Sequence, residues 1–285
     1  LNPIVDVGPY RFCFENCPSF IVDYLVDMYD ESVNYSVDAP VDFTLTIKYT
    51  SFWRRFVKPQ VCIYVDNQRP FNPVNPKLLM PSIEWGMNWC IASLDYSKLL
   101  IHSSVLVKNG KAIIFPATPG SGKSTLATHF GLHGWELFSD EMAIIPLGTN
   151  SVQPMHRAAS LKNRSIDVIK QSSPNATFSP TTIGTHKGDI AHVKLHSRAE
   201  FELLKKATIV AVVFPKYKAE NDLVVEQVSQ VEGFAKLIHH SFNYSVLGES
   251  GFSTLQKVVE NSDFYTASYS SYEGLEKFLL SVIET

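Results

Sequence analysis

An apolar run, Ala112-Ile113-Ile114-Phe115, leads almost directly into Ala117-Thr118-Pro119-Gly120-Ser121-Gly122-Lys123-Ser124. Thr125-Leu126-Ala127-Thr128-His129-Phe130 comes next with the spacing of a helix. Few arrangements satisfy such a stretch: the run predicts a buried strand, the glycines a sharp turn, and the helix must start at once. Strand, turn and helix in this order are the setting in which a GxxxxGK[ST] pattern holds phosphate. Glycines let backbone N–H groups close around phosphate oxygens, and the helix start adds partial positive charge. The pattern departs only at its first position, where Ala117 replaces glycine. Nucleotide binding is therefore expected of Pro119, Gly120, Ser121, Gly122, Lys123, Ser124 and Thr125. Lys123 would reach the β- and γ-phosphates, and the Ser124 hydroxyl would sit on Mg²⁺. A glycine turn with a chance lysine is the alternative.

The rest of the chain bounds the answer. Its 285 residues suffice for one large domain, or a small domain and a medium one. Hydrophobic content of 45% with 19% charged residues excludes a disordered chain. The net charge of −3 offers no electrostatic case for nucleic acid or an anionic membrane, so neither is expected as a partner. Cys13, Cys17, Cys62 and Cys90 imply no disulfide framework, and a cytoplasmic location is the simplest expectation. No run approaches the roughly 18 apolar residues that span a bilayer.

Residues 1 to about 80 differ from the remainder of the chain. Tyr10 to Phe14, Asp42 to Tyr49 and Gln60 to Val65 alternate apolar and polar residues, as half-buried antiparallel strands do. Ser19 to Tyr29 has helical spacing, with Ser19 as its cap. A proline-rich stretch from Pro70 to Pro81 then predicts a boundary near residue 80. A helix is expected from Ser82 to Leu94, with Trp85 and Trp89 in packing. Leu99 to Val107 and Lys111 to Phe115 predict two strands turned by Asn109-Gly110. Trp135 to Pro146 predicts a further strand region. Gln153 to His196 is polar and is expected to form loops lining a site, with one helical piece from Leu161 to Lys170. Ala207 to Phe214 predicts a central buried strand, and the C-terminal remainder is mostly helical in spacing.

Asp140 and Glu141 are the best-placed acids, at the end of a strand. One could contact metal while the other takes the proton of an attacking hydroxyl. A turn cap is the competing role for such a pair. His102 precedes the hairpin and could pass beside the loop, or it could be a satisfied core histidine. Arg157, Lys162, Arg164 and Lys187 lie in the polar segment, where any could neutralise a transferring phosphoryl group or simply be solvated. Three motifs are missing: an LSGGQ-like stretch, an NKxD-type guanine reader, and an apolar run ending in a metal-binding Asp. Transporter ATPases and GTPases are thereby disfavoured.

His102 in Ile101-His102-Ser103-Ser104-Val105, the loop Ala117 to Ser124 and Ser139-Asp140-Glu141 together resemble the HPr kinase/phosphorylase superfamily. Further segments resemble its HPr kinase-related kinase A branch: Glu84 to Cys90, Ser160 to Ile169, Lys187 to His192, Phe214 to Tyr217 and Phe242 to Glu249. The resemblance implies an α/β fold with a mixed sheet, a kinase core like that of HPr kinase and phosphoenolpyruvate carboxykinase, and not a RecA-like one. It makes Asp140 the proton acceptor, with Lys123 and His102 beside it, and puts Glu141 in the position of the second acid. Two departures stand out: Thr125 replaces the usual Glu after Lys-Ser, and the glycine-rich phosphorylase signature is absent. HPr kinases assemble as hexamers, so the resemblance also raises a homo-oligomer.

The expectation is thus an N-terminal α+β segment over 1–80 and a phosphate-loop kinase domain over 81–285. With ATP and Mg²⁺ it would phosphorylate a hydroxyl, foremost a serine of a protein or peptide. Catalysis would rest on Asp140, Lys123 and His102, metal binding on Ser124 and Glu141, and phosphate or substrate contacts on Arg157, Lys162 and Lys187. A small-molecule alcohol acceptor, or a nucleotide-binding switch with little turnover, are the alternatives.

Overall fold

In the computed structural model, residues 2–36, 40–220 and 222–284 are described. The described residues up to Leu94 carry β1 (Ile4–Asp6), β2 (Arg11–Glu15), α1 (Ser19–Tyr29), β3 (Val33–Asn34), β4 (Phe43–Tyr49), β5 (Val61–Val65) and α2 (Leu79–Leu94). Alternation sends Phe12 and Phe14 of β2 inward while Arg11, Cys13 and Glu15 stay half-exposed. The five strands form one sheet in the order β3-β1-β2-β4-β5. β2 and β4 run parallel, not antiparallel as expected. A whole helix, α1, lies between them in sequence, and a parallel pair needs a crossover of that length. Ser19 does not cap α1: Pro18 holds the cap position in extended conformation and no side chain bonds the first turn. α2 starts three residues before the expected Ser82 and buries Leu79, Ile83, Met87 and Ile91. A Cβ on Gly86 would lie 2.8 Å from Leu45 Cδ2, so glycine is what lets α2 press against β4.

Residues 95–154 form β6 (Lys98–Ile101), β7 (Ser103–Lys108), β8 (Lys111–Pro116), α3 (Lys123–Leu132), β9 (Glu136–Ser139), β10 (Ala143–Pro146) and β11 (Ser151–Val152). Asn109 and Gly110 both take positive φ, 53° and 73°, as a tight hairpin between β7 and β8 requires. The single strand expected over 99–107 is two strands. β6 pairs with β10 and β7 with β8 and β9, and His102 stands at the break.

The polar stretch after residue 153 is not all loop. It forms β12 (Ala159–Lys162), α4 (Arg164–Ser172), β13 (Thr182–Thr185), β14 (Gly188–Val193) and α5 (Arg198–Leu203). Its strands make a sheet of order β12-β14-β13. Strands of four to six residues that contain Ser, Lys, Thr, Gly, Asp and His carry too little apolar alternation to be read as strands.

The last stretch holds β15 (Ala207–Tyr217), β16 (Val224–Gln227), α6 (Gln230–His240), α7 (Tyr244–Glu260), β17 (Asp263–Tyr269) and α8 (Tyr272–Glu284). Ser229 accepts from Glu232 N–H at the start of α6, the Ser-x-x-Glu arrangement that favours a helix start. β15 is central, as its β-branched run predicts, and pairs in parallel with β8 and β17. The main sheet runs β16-β17-β15-β8-β7-β9, with β11 against β15. Ile114 and Val212 pack with Leu237, Leu255 and Val258 of α6 and α7. Leu106, Ile113 and Phe115, which alternation turns to the other face, are equally buried.

The protein is thus of mixed α/β class with mixed sheets. It divides into two compact units, Leu1–Leu94 with Met155–Glu202, and Asp95–Pro154 with Leu203–Thr285. This differs from a single cut near residue 80: α2 belongs to the first unit, and the chain returns to that unit after Pro154. Among the described residues, no helix is long and apolar enough to cross a membrane. All four cysteines are free thiols.

A buried polar network helps explain why the first unit is discontinuous. Arg157 Nη2 meets Glu84 Oε2 at 2.5 Å, both side chains being almost wholly buried. Arg157 also donates to Asn88 and Tyr29, while Tyr24 and Tyr29 donate to Glu84. Burial alone would raise the Glu84 carboxyl, but Arg157 and the tyrosine hydrogen bonds hold it below its ordinary value. Arg157→Ala leaves a buried carboxylate unpaired, so urea unfolding should read a loss of about 3–5 kcal/mol. An apolar Glu84→Leu/Arg157→Met double variant should recover most of it.

His156 and His192 lie in the same unit, and burial lowers both from the ordinary 6.5. Unfolded histidines take up protons first as pH falls, so this part of the stability is present above about 6.5 and lost below it. Thermal melts should show the midpoint dropping between pH 7.5 and 5.5, and His192→Gln should flatten that slope.

Candidate functional site

β8 ends at Pro116, and the chain turns through residues 117–122 into α3. Gly120 and Gly122 have φ of 87° and 88°, a region that L side chains rarely adopt. Gly122 is also crowded: a Cβ there would lie 3.1 Å from Tyr217 Cβ, whereas at Gly120 nothing lies within 4 Å. Ser121 ties the turn on both sides, its N–H donating to Thr118 O at 3.3 Å and its carbonyl accepting from Tyr217 N–H at 3.1 Å. The first bond inside α3 runs from Leu126 N–H to Gly122 O. The N–H groups of Ser124 and Thr125 therefore have no carbonyl within the helix to bond. No side chain caps this helix start.

Two further observations fit an anion here. The Ser121 hydroxyl is buried with no hydrogen-bond partner, and the Lys123 side chain is folded in, with the residue only 8% exposed. Inward-facing donors at an uncapped helix start form a cradle for phosphate oxygens.

The register of the sheet brings the other candidates to the same edge. Ser103 of β7 stands opposite Pro116 of β8, so His102 lies level with the start of the loop. Val105 of β7 stands opposite Ser139 of β9, which places Asp140 and Glu141 just beyond that edge. His102 is neither a sealed core residue nor free. Its Nε2 is 3.2 Å from Glu141 Oε2, its ring packs 5.6 Å from Phe242, and its N–H donates to His240 O at 2.8 Å.

Asp140 is buried, and its carbonyl accepts from the Ser104 hydroxyl at 3.0 Å. The turn that carries the acids is capped by Ser139, whose Oγ accepts from Glu141 N–H and Met142 N–H.

A recess of about 450 Å³ opens beside the loop. It lies at the carboxyl ends of β8, β15 and β17, where α/β sheets usually take ligands. Ala117, Phe214 and Ala267 supply apolar wall; Lys216, Lys218, Lys236 and Glu226 also line the recess, and Lys236 Nζ is paired with Glu232 at 2.8 Å and lies 4.8 Å from the Phe214 ring. The Ser268 hydroxyl, on the same wall, is buried without a partner. His240 also lines the recess. Burial, then electrostatic repulsion from its neighbours, lower it to about 4, so it is neutral at pH 7.

The expected residues are divided between the two units. His102, Asp140, Glu141 and the loop from Pro119 to Thr125 belong to the second unit, while Arg157, Lys162 and Lys187 belong to the first. The Arg157 guanidinium is committed to Glu84, Asn88 and Tyr29. Lys162 closes β12, and Lys187 Nζ sits 4.7 Å from the Trp85 ring. The lysines of the recess and His240 were missed as site residues. The cluster Lys216-Tyr217-Lys218, just after a β-branched run, was the available signal.

These features give an α/β protein with a glycine-shaped turn at an uncapped helix start, a histidine–carboxylate pair and a lysine-bearing recess on one sheet edge. Comparison with protein-family models found no match, and comparison with curated proteins found none.

Substitution separates strain from crowding in the loop. Gly120→Ala should cost about 1–2 kcal/mol in urea unfolding, the usual penalty for a left-handed L residue. Gly122→Ala should cost more, because the same strain is joined by contact with Tyr217.

Proposed function

We propose that this protein is an ATP- and Mg²⁺-dependent kinase that transfers the γ-phosphoryl group to a hydroxyl, foremost a serine of a protein or peptide. The observation that carries this reading is the convergence of the phosphate-loop geometry, His102 and the Asp140-Glu141 pair on one sheet edge. A loop alone would suit any nucleotide binder. A buried carboxylate beside it is what a hydroxyl nucleophile needs.

In this mechanism the backbone of residues 120–125 and the Lys123 ammonium hold the β- and γ-phosphates. Mg²⁺, when bound, supplies neutralisation of charge on those oxygens. Ser124 and Glu141 are the residues that would hold it. Among the described residues, no three His, Cys, Asp or Glu side chains gather as a metal site, which suits an ion that would be held largely through the nucleotide.

Asp140 takes the proton of the acceptor hydroxyl. The hydroxyl oxygen bonds to the γ-phosphorus as the bond to the bridging oxygen breaks, leaving ADP. His102 orients Glu141. Most of the acceleration comes from positioning and electrostatics, because a loose transition state asks little covalent help.

The core we assign is of the HPr kinase and phosphoenolpyruvate carboxykinase type. β7 runs antiparallel beside the loop strand β8, which favours it over a RecA-like core with parallel neighbours. Free thiols and the absence of a disulfide framework support the cytoplasm as its compartment. A small alcohol is the second acceptor to test, and one experiment separates it from a protein acceptor.

Incubation with γ-labelled ATP and cell lysate, then separation of protein from small molecules, tests the reading and sorts the acceptors. Label on neither, with Mg²⁺-nucleotide shown to bind, would replace the kinase by a nucleotide switch. Asp140→Asn should keep nucleotide affinity and lower turnover by about 10²- to 10⁴-fold. Unchanged turnover removes Asp140 from the mechanism.

A further inference from the structure

The hairpin of β4 and β5 ends in an unusual tip. The strands pair from Leu45 opposite Val65 to Tyr49 opposite Val61, and the chain then makes an excursion closed by Thr50 N–H to Gln60 O. On that excursion Phe52 is 71% exposed, Trp53 74%, Phe56 67% and Val57 61%. Single exposed apolar residues are ordinary, but four large ones within six positions form a contiguous patch of the kind that marks an interaction surface. The tip is ordered by its own contacts. Phe52 packs edge-on to Trp53 and Phe56, Arg55 lies 5.7 Å over the Tyr49 ring, and Gln60 N–H bonds Arg54 O.

Charge says what covers it. From residue 43 to 65 the sequence holds Lys48, Arg54, Arg55 and Lys58 and no Asp or Glu, in a chain whose net charge is −3. The whole-chain value conceals a locally cationic hairpin. Rings and aliphatic groups at the end of a protrusion, with cations interleaved and behind them, match the boundary of a bilayer with anionic headgroups. There, aromatic rings sit at headgroup depth and Arg and Lys reach phosphate oxygens. Single-stranded nucleic acid also takes aromatics and cations, but it needs open ring faces to stack on. Here the rings are clustered edge-on to one another rather than spaced to take successive bases, and Val57 offers a base no face.

We propose that residues 52–58 dock this protein on anionic lipid surfaces by shallow insertion of Phe52, Trp53, Phe56 and Val57, with Arg54, Arg55 and Lys58 on the headgroups. One short tip is a weak anchor, so binding is reversible and falls as salt rises.

The full chain, sedimented with vesicles of phosphatidylcholine alone or with about a third phosphatidylglycerol, tests this. Binding should be at least about tenfold stronger to the anionic vesicles, with a blue shift of tryptophan emission, and should weaken in high salt. Phe52→Ser/Trp53→Ser/Phe56→Ser and Arg54→Glu/Arg55→Glu should each lower partitioning about tenfold or more, with thermal midpoints unchanged because the tip is exposed. The proposal is overturned by absence of vesicle binding or by equal binding to neutral vesicles. Variants that bind like the parent overturn it too, as does binding of a single-stranded oligonucleotide but not of vesicles. So does a lipid-free dimer that the same substitutions disperse.

Discussion

Parallel pairing of β15 with β8 and β17 sets the geometry of the second unit. Parallel strands deliver their carboxyl ends to one edge, so the loop after Pro116, the lysines after Pro215 and the segment Thr266 to Ser268 arrive together. Such pairing is stable only when both faces are covered, which explains the near-continuous apolar run of β15 and its burial. The antiparallel hairpin of β7 and β8 adds a second kind of delivery. It turns the start of β7 back to the same edge and so brings His102 there. Chemistry contributed by residues far apart in sequence is thus collected by strand direction rather than by local sequence.

The first unit is organised differently. Its second segment is joined to α2 through Arg157 and Glu84, residues 73 apart in sequence. A buried ion pair gains little over well-packed apolar side chains, because both charges must leave water. It does impose specificity: a guanidinium with donors aimed at Glu84, Asn88 and Tyr29 accepts one docking of the returning chain, whereas an apolar contact would tolerate several. Cation and partners here serve the architecture, although the same arginine in a polar sequence segment reads equally well as a phosphate ligand.

Sequence legibility tracked the strength of local patterns. Alternation in β2, β4 and β5, the β-branched run of β15, the Asn109-Gly110 turn and the glycine loop were all legible, because each is a local demand on backbone or burial. The sheet of β12, β13 and β14 was not, since its strands are short and polar and exist through one another. β17 was passed over for a similar reason: Asp263-Phe264-Tyr265-Thr266-Ala267-Ser268-Tyr269 places polar residues where a strand signal would need apolar ones. The division at His102 was hidden because the apolar pattern continues across it while the partner strands change. In the candidate site, the loop and the acids at the end of β9 could be placed from sequence. The basic recess could not, because its wall is assembled from four strands and a helix.

Residue 102 is a pivot between two sheets. Its peptide N–H is bonded to the last residue of α6, and its imidazole to Glu141 on the turn after β9. Close by, Phe242 N–H bonds Leu100 O, so the chain beyond α6 is fastened there too. Lys236 and His240, on the last turns of α6, wall the recess. One residue thus joins the helix end that walls the recess to the turn that carries a carboxylate.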